Sequence, residues 1–164
     1  MPDFIIHPHA LLRQAAPPRP VDATMIAAGE ALLAAASEVS AYGLAAVHLG
    51  QLEPLVVVSV ANDPALRDYR VLFNPEVVAL ADETAVGAEG SVSMPGIEAP
   101  VARAVWAEIA FDDATGARQT ERFTGFVARV MQHEIDQMNG VFFLERVSRI
   151  KRDTALRKFA KSQR

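Results

Sequence analysis

The sequence predicts an α+β fold. Two long stretches carry apolar residues at helical spacing, and they flank several short runs of β-type residues. One of those runs alternates strictly between apolar and polar faces, then meets a turn and a return arm. At 164 residues the chain suits one domain spanning residues 1–164, long enough to bury roughly two-thirds of its unfolded surface.

The elements follow in order. Ala15-Ala16-Pro17-Pro18-Arg19-Pro20 reads as an extended lead-in, because each proline restricts itself and the residue before it. Asp22 or Thr24 caps the first helix, in which Met25, Ala28, Leu32, Ala36 and Val39 recur to about Ala41. Tyr42-Gly43 ends it. Residues 55–60 form a Val-rich apolar run, read as a buried strand. Residues 70–73 form another, ended by Asn74-Pro75. Val105, Ala107, Ile109 and Phe111 alternate with Trp106 and Glu108 as a half-buried strand. Residues 112–116 are turn-forming, and residues 118–124 return as the second hairpin arm. The second long helix covers about 125–139, with Gly140 as its stop. On it Phe126, Val130, His133 and Gln137 share a face, beside a stripe of Val127, Met131, Glu134 and Met138. So wide an apolar face belongs to a helix in the middle of the molecule. Residues 153–161 form a last helix with a weak apolar edge of Leu156, Phe159 and Ala160.

Composition excludes several chemistries. The chain has no cysteine, which rules out disulfides, a cysteine nucleophile and any zinc site built on thiolates. Net charge is −4, which gives no general case for DNA or an anionic membrane. Residues 151–164 hold six Lys or Arg against one Asp, a local +5 that leaves −9 on the rest. Such a basic end on an acidic body is either an address for RNA or a ribosome, or a solvated helix face. No run of about 18 apolar residues exists to span a membrane. The start, Met1-Pro2-Asp3-Phe4, lacks a basic region leading into an apolar run, so a cytoplasmic protein is expected.

The most informative stretch is His133-Glu134-Ile135-Asp136-Gln137. In a zinc-hydrolase helix two His at i and i+4 face one metal, and the Glu after the first His is the general base. Here the fifth position is Gln137, whose amide oxygen is a weak, neutral ligand. Alone, these five residues read as a broken metal motif or as a helix with one core His and a paired Glu.

Two further motifs extend this one, Ala41 to His48 and Glu89 to Ser93, the latter followed by Met94-Pro95-Gly96, and together the three resemble the peptide deformylase family. Ala41-Tyr42-Gly43-Leu44-Ala45-Ala46-Val47-His48 stands where that family has Gly-apolar-Gly-apolar-Ala-Ala-x-Gln. Glu89-Gly90-Ser91-Val92-Ser93, followed by Met94-Pro95-Gly96, stands where it has Glu-Gly-Cys-Leu-Ser. Residues 132–137 stand where it has Gln-His-Glu-x-Asp-His, and Asn139-Gly140 then leads into an expected Phe-rich strand. Asn74-Pro75-Glu76 and residues 101–103 also fit.

The resemblance implies a small metal hydrolase fold, with mixed and antiparallel sheets around a central helix that carries His133-Glu134. It implies an activity, removal of the formyl group from N-terminal formyl-methionine. The family's metal ligands map onto Ser91, His133 and Gln137, of which only His133 is a strong ligand. Glu134 maps onto the acid/base, the backbone N–H of Val92 onto a donor to the developing oxyanion, and His48 onto the family's glutamine donor. Glu89 and Arg103 map onto an ion pair that shapes the pocket, with Gly43 beside it. No tightly held cofactor is therefore expected, only a weakly bound divalent metal (Fe, Zn or Ni) at His133. His48 has two expected arrangements: a rearranged metal site shared with His133 and Glu134 or Gln137, or a metal-free hydrogen bond to Glu134.

Three functions follow. The leading one is a deformylase-like protein with impaired or no deformylase activity that keeps a pocket for peptide N-termini, formylated or not. The second is an active metal-dependent deformylase with altered ligands. The third is a ribosome- or RNA-associated module acting through the basic helix at 151–164, because bacterial deformylases contact the ribosome through theirs.

Overall fold

In a computed structural model describing residues 1–164, helix α1 (Ala23–Val39) is followed by strands β1 (Gly43–Ala45), β2 (Leu55–Ser59) and β3 (Tyr69–Leu80). A hairpin of β4 (Thr84–Ser91) and β5 (Met94–Ala104) precedes a second hairpin of β6 (Trp106–Asp112) and β7 (Arg118–Thr124). Helices α2 (Gly125–Met138) and α3 (Arg149–Ser162) complete the chain. Five strands form one antiparallel sheet in the order β1-β2-β3-β6-β7, and β4-β5 stands as a separate two-stranded ribbon.

The run at 55–59 is apolar throughout because β2 is covered on both faces. Leu55 and Val57 pack with Met25, Leu32 and Ala36 of α1, while Val56 and Val58 pack with Val127, Met131 and Ile135 of α2. Asp22 caps α1, accepting from the Met25 N–H at 2.9 Å. α2 ends where φ turns positive (+80°) at Gly140, and a Cβ there would lie 2.7 Å from the Arg13 backbone. No helix is long and apolar enough to cross a membrane.

Two expectations need correction, and one hairpin has no counterpart in the sequence reading. β3 does not end at Asn74-Pro75 but runs on to Leu80. Asn74 takes a left-handed φ of 47°, and the pairing with β6 shifts register between Phe73 and Glu76. A proline is tolerated in a strand at such a bulge, where no ladder N–H is needed. The Asn74 amide stabilises the bulge by donating to Asp112 Oδ2 at 2.9 Å and to the Arg19 carbonyl at 2.7 Å.

The hairpin at 84–104 carries no sequence assignment, since most of β4 is exposed and lacks an apolar face. Only β5 alternates, burying Ile97, Ala99, Val101 and Arg103. The expected Phe-rich strand after Gly140 is instead a 3₁₀ turn, Phe143–Arg146. Phe142, Phe143 and Leu144 are all buried in succession, which a two-faced strand at an edge would not allow. They pack with Ile97, Val101 and Phe159, and so bind α3 to the ribbon.

Candidate active site

β1, the β4–β5 ribbon and the exposed end of α2 enclose a cavity of about 390 Å³. Leu44, Val92 and Val130 give it an apolar wall, and Tyr42 packs edge-on against Phe126 at its rim, ring centroids 4.7 Å apart. β1 reaches α2 closely because residue 43 is glycine: a Cβ there would lie 2.7 Å from Val130 Cγ1 and 3.0 Å from Glu134 Cγ. His48, Glu89, Ser91, Arg129, His133 and Glu134 supply the polar lining. A larger cleft, about 830 Å³, holds Arg19, Asn74, Asp112 and Arg118, but these side chains are already bonded within the protein.

Glu89 organises the polar groups. Its carboxylate accepts from Arg103 Nε and Nη2, each at 2.9 Å, and from Arg129 Nη1 at 2.8 Å. His133 Nδ1 lies 2.8 Å from Glu89 Oε1 and donates its proton there. Burial alone would raise the Glu89 pKa, yet the bonds from Arg103 and His133 hold it at about 2. Arg103 also reaches Asp136 at 2.6 Å, which Arg146 holds on its other side at 2.8 Å.

Glu134 has no such support. Oε1 is buried without a hydrogen-bond partner, and Oε2 lies 4.0 Å from His133 Nε2. Burial pushes its pKa up to about 7. Burial also acts to lower His133, but the charges of Glu134 and Glu89 outweigh it and raise its pKa. His48 is driven down to about 3, first by burial and then by His133. It is therefore neutral, and since its Nδ1 accepts from the Ala45 N–H at 2.9 Å, its proton sits on Nε2. That Nε2–H is buried and unpartnered.

Neither expected arrangement of His48 is present. Its Nδ1 is 3.9 Å from Glu134 Oε1, beyond hydrogen-bond reach, because the Ala45 N–H has taken that lone pair. No three His, Asp or Glu side chains are grouped so as to hold a metal ion. Gln137 lies outside the cavity lining, and its Nε2 donates to the Leu12 carbonyl at 2.9 Å. Ser91 lines the cavity, and its Oγ accepts from the Ser93 N–H at 3.1 Å.

A family model for polypeptide deformylase matches residues 1–153. The chain belongs to the peptide deformylase family. A peptide deformylase-like protein of Agrobacterium fabrum is 42% identical over 121 residues, covering 74% of this chain and 71% of that one. A peptide deformylase of the same organism is 33% identical over 162 residues, covering 98% and 95%. Among solved structures, the peptide deformylase of Ehrlichia chaffeensis superposes with a TM-score of 0.89 at 25% identity, covering 98% of this chain and 95% of that one.

At the positions that match the three metal ligands of the deformylase motifs stand Ser91, His133 and Gln137. They offer a hydroxyl, one imidazole and an amide whose N–H is already committed, with no anionic ligand among them. Arg129 was missed in the sequence, although it lies one helical turn before His133 and so on the same face. It ties α2 to the ribbon through Glu89, the Val101 carbonyl at 2.8 Å and the Ala85 carbonyl at 2.7 Å.

The environment of Glu134 predicts a pH effect on stability. In the unfolded chain its carboxyl ionises near 4.5, and in the folded protein near 7. Between those values the folded state keeps a proton that the unfolded chain has released, so stability falls as pH rises through that window, by on the order of 3 kcal/mol. Glu134→Gln removes this loss. Thermal melts should show the variant's Tm advantage over the parent growing from pH 5 to pH 8, and an advantage independent of pH would contradict the assignment.

Proposed function

We propose that this chain is a deformylase-like protein that receives peptide N-termini, formylated ones included, and that performs the family's metal-assisted hydrolysis weakly or not at all. The observation that carries this reading is the contrast between frame and ligands. Glu89, Arg103, His133 and Glu134 keep the frame of the deformylase motif, while Ser91 and Gln137 replace two of its three ligands. A complete structural zinc site is worth about 10–16 kcal/mol, so the loss of an anionic ligand and an imidazole removes most of the affinity. Any Fe, Zn or Ni would sit weakly at His133. The wall of Leu44, Val92 and Val130, with Phe126 at the rim, suits an unbranched apolar side chain such as methionine. A place in the cytoplasm, where formylated chains arise, goes with this reading.

Metal analysis of protein purified without chelator should find far less than one Fe, Zn or Ni ion per chain. The paired change Ser91→Cys and Gln137→His should raise that content several-fold. Near-stoichiometric metal in the parent, with clear turnover of a formyl-methionyl tripeptide, would contradict the proposal.

α3 supports a second proposal, contact with the ribosome. Lys151, Arg157, Lys158 and Lys161 are exposed on it and Arg164 just beyond its end, while Ala155 and Phe159 hold the helix to the ribbon. Because that face is part of the core, deleting α3 would disturb the fold, and charge reversal is the cleaner test. Changing Lys151, Arg157, Lys158 and Lys161 to Glu should abolish cosedimentation with ribosomes at low salt. Undiminished cosedimentation of a normally folded variant would make this a solvated face only.

A further inference from the structure

We propose that Ser91, His133 and Glu89 act as a serine–histidine–glutamate triad that accepts the formyl group as a covalent ester, with no metal. The inference rests on the reading of the cavity as a site for formylated N-termini. It asks what a hydroxyl can do in place of a thiolate ligand. Serine is a poor ligand for such a metal but an effective nucleophile once an oriented base stands near it.

The orientation of that base is the main support. Glu89 Oε1 takes the Nδ1 proton of His133 at 2.8 Å, and Arg103 and Arg129 fix the Glu89 carboxylate itself. In the neutral ring the Nε2 lone pair is therefore the free one, which is the tautomer a general base for serine requires. Nε2 has no protein hydrogen bond, and the nearest carboxylate oxygen, Glu134 Oε2, stands off at 4.0 Å. Ser91 lines the same cavity at the end of β4. Its Oγ accepts from the Ser93 N–H, and its own proton is committed to no protein acceptor. The buried, unpartnered Nε2–H of His48 belongs to the same lining and can serve an oxyanion, as can the backbone N–H that follows the nucleophile, at Val92. The free protein shows no hydrogen bond between Ser91 and His133; such contacts commonly close only with substrate in place.

The reaction balances without a co-reactant other than water. Ser91 Oγ attacks the formyl carbon, and its proton passes to His133 Nε2. The C–N bond breaks as Nε2 hands that proton to the departing amine, leaving a formyl ester on Ser91. Water then attacks the ester carbon and gives a proton to Nε2. The Oγ–C bond breaks, Oγ recovers the proton, and formic acid leaves, ionising to formate by giving its proton to solvent.

The test is labelling of the purified chain by an alkyl fluorophosphonate in excess chelator, read by intact mass and peptide mapping. We expect one adduct, on Ser91, absent in Ser91→Ala and formed about 100-fold more slowly in His133→Asn. No adduct on the parent, an adduct on another residue, or an unchanged rate in a folded His133→Asn would overturn the triad. If His133→Asn does not fold, the mapping on the parent decides alone. Calorimetry of a formyl-methionyl tripeptide with the unmodified parent separates the two readings. Binding without labelling defeats the triad and leaves the peptide pocket standing, whereas labelling without binding does the reverse.

Discussion

The site depends on one buried carboxylate. Glu89 is 7% exposed, and an ionised carboxyl so far from water costs several kcal/mol unless its oxygens are fully bonded. Four hydrogen bonds meet that need: two from Arg103, one from Arg129 and one from His133. They come from β5 and from two successive turns of α2, so satisfying one charge also fixes the ribbon against the helix. Asp136 and Arg146 extend the lattice toward the 3₁₀ turn after α2. Removing any one partner would leave a buried charge short of bonds, which is why the ribbon, though only two strands wide, keeps a defined place.

The same lattice separates two properties that a metal hydrolase normally joins. The frame that orients His133 is independent of the metal, because it is made of ion pairs behind the imidazole. Gln137 donates its N–H to the Leu12 carbonyl and so ties α2 to the N-terminal segment. Glu134 is then left as a buried carboxyl without a partner, raised toward neutrality by burial. The cavity thus holds an oriented imidazole and a hydroxyl in one lining, against an apolar wall.

Much of this was legible in the sequence where local pattern and packing agree. α1, β2, α2 and the β6–β7 hairpin have apolar spacing that matches the faces they bury, and Asp22 and Gly140 mark helix ends by their own chemistry. The β4–β5 ribbon was not legible, because the exposed face of Thr84–Ser91 leaves nothing to alternate. β3 past Pro75 was hidden as well, since its continuation depends on the Asn74 bulge and on Asp112 across the sheet. Near the cavity, the motif register pointed to Ser91 and His133, which line it, and to Gln137, which does not. It could not show that His48 turns its Nδ1 to the Ala45 N–H or that Gln137 turns to Leu12, because those bonds are made with backbone that carries no side-chain signature.

The central claim, an intact frame around a dismantled ligand set, is tested most directly by crystals soaked in nickel and measured at the nickel absorption edge. The account predicts the Glu89–His133 hydrogen bond in place, Gln137 still on the Leu12 carbonyl, and at most a weak anomalous peak at His133 Nε2 that is bonded to neither Ser91 nor Gln137. A strong peak bonded to His133 together with Ser91 and Gln137 would contradict it.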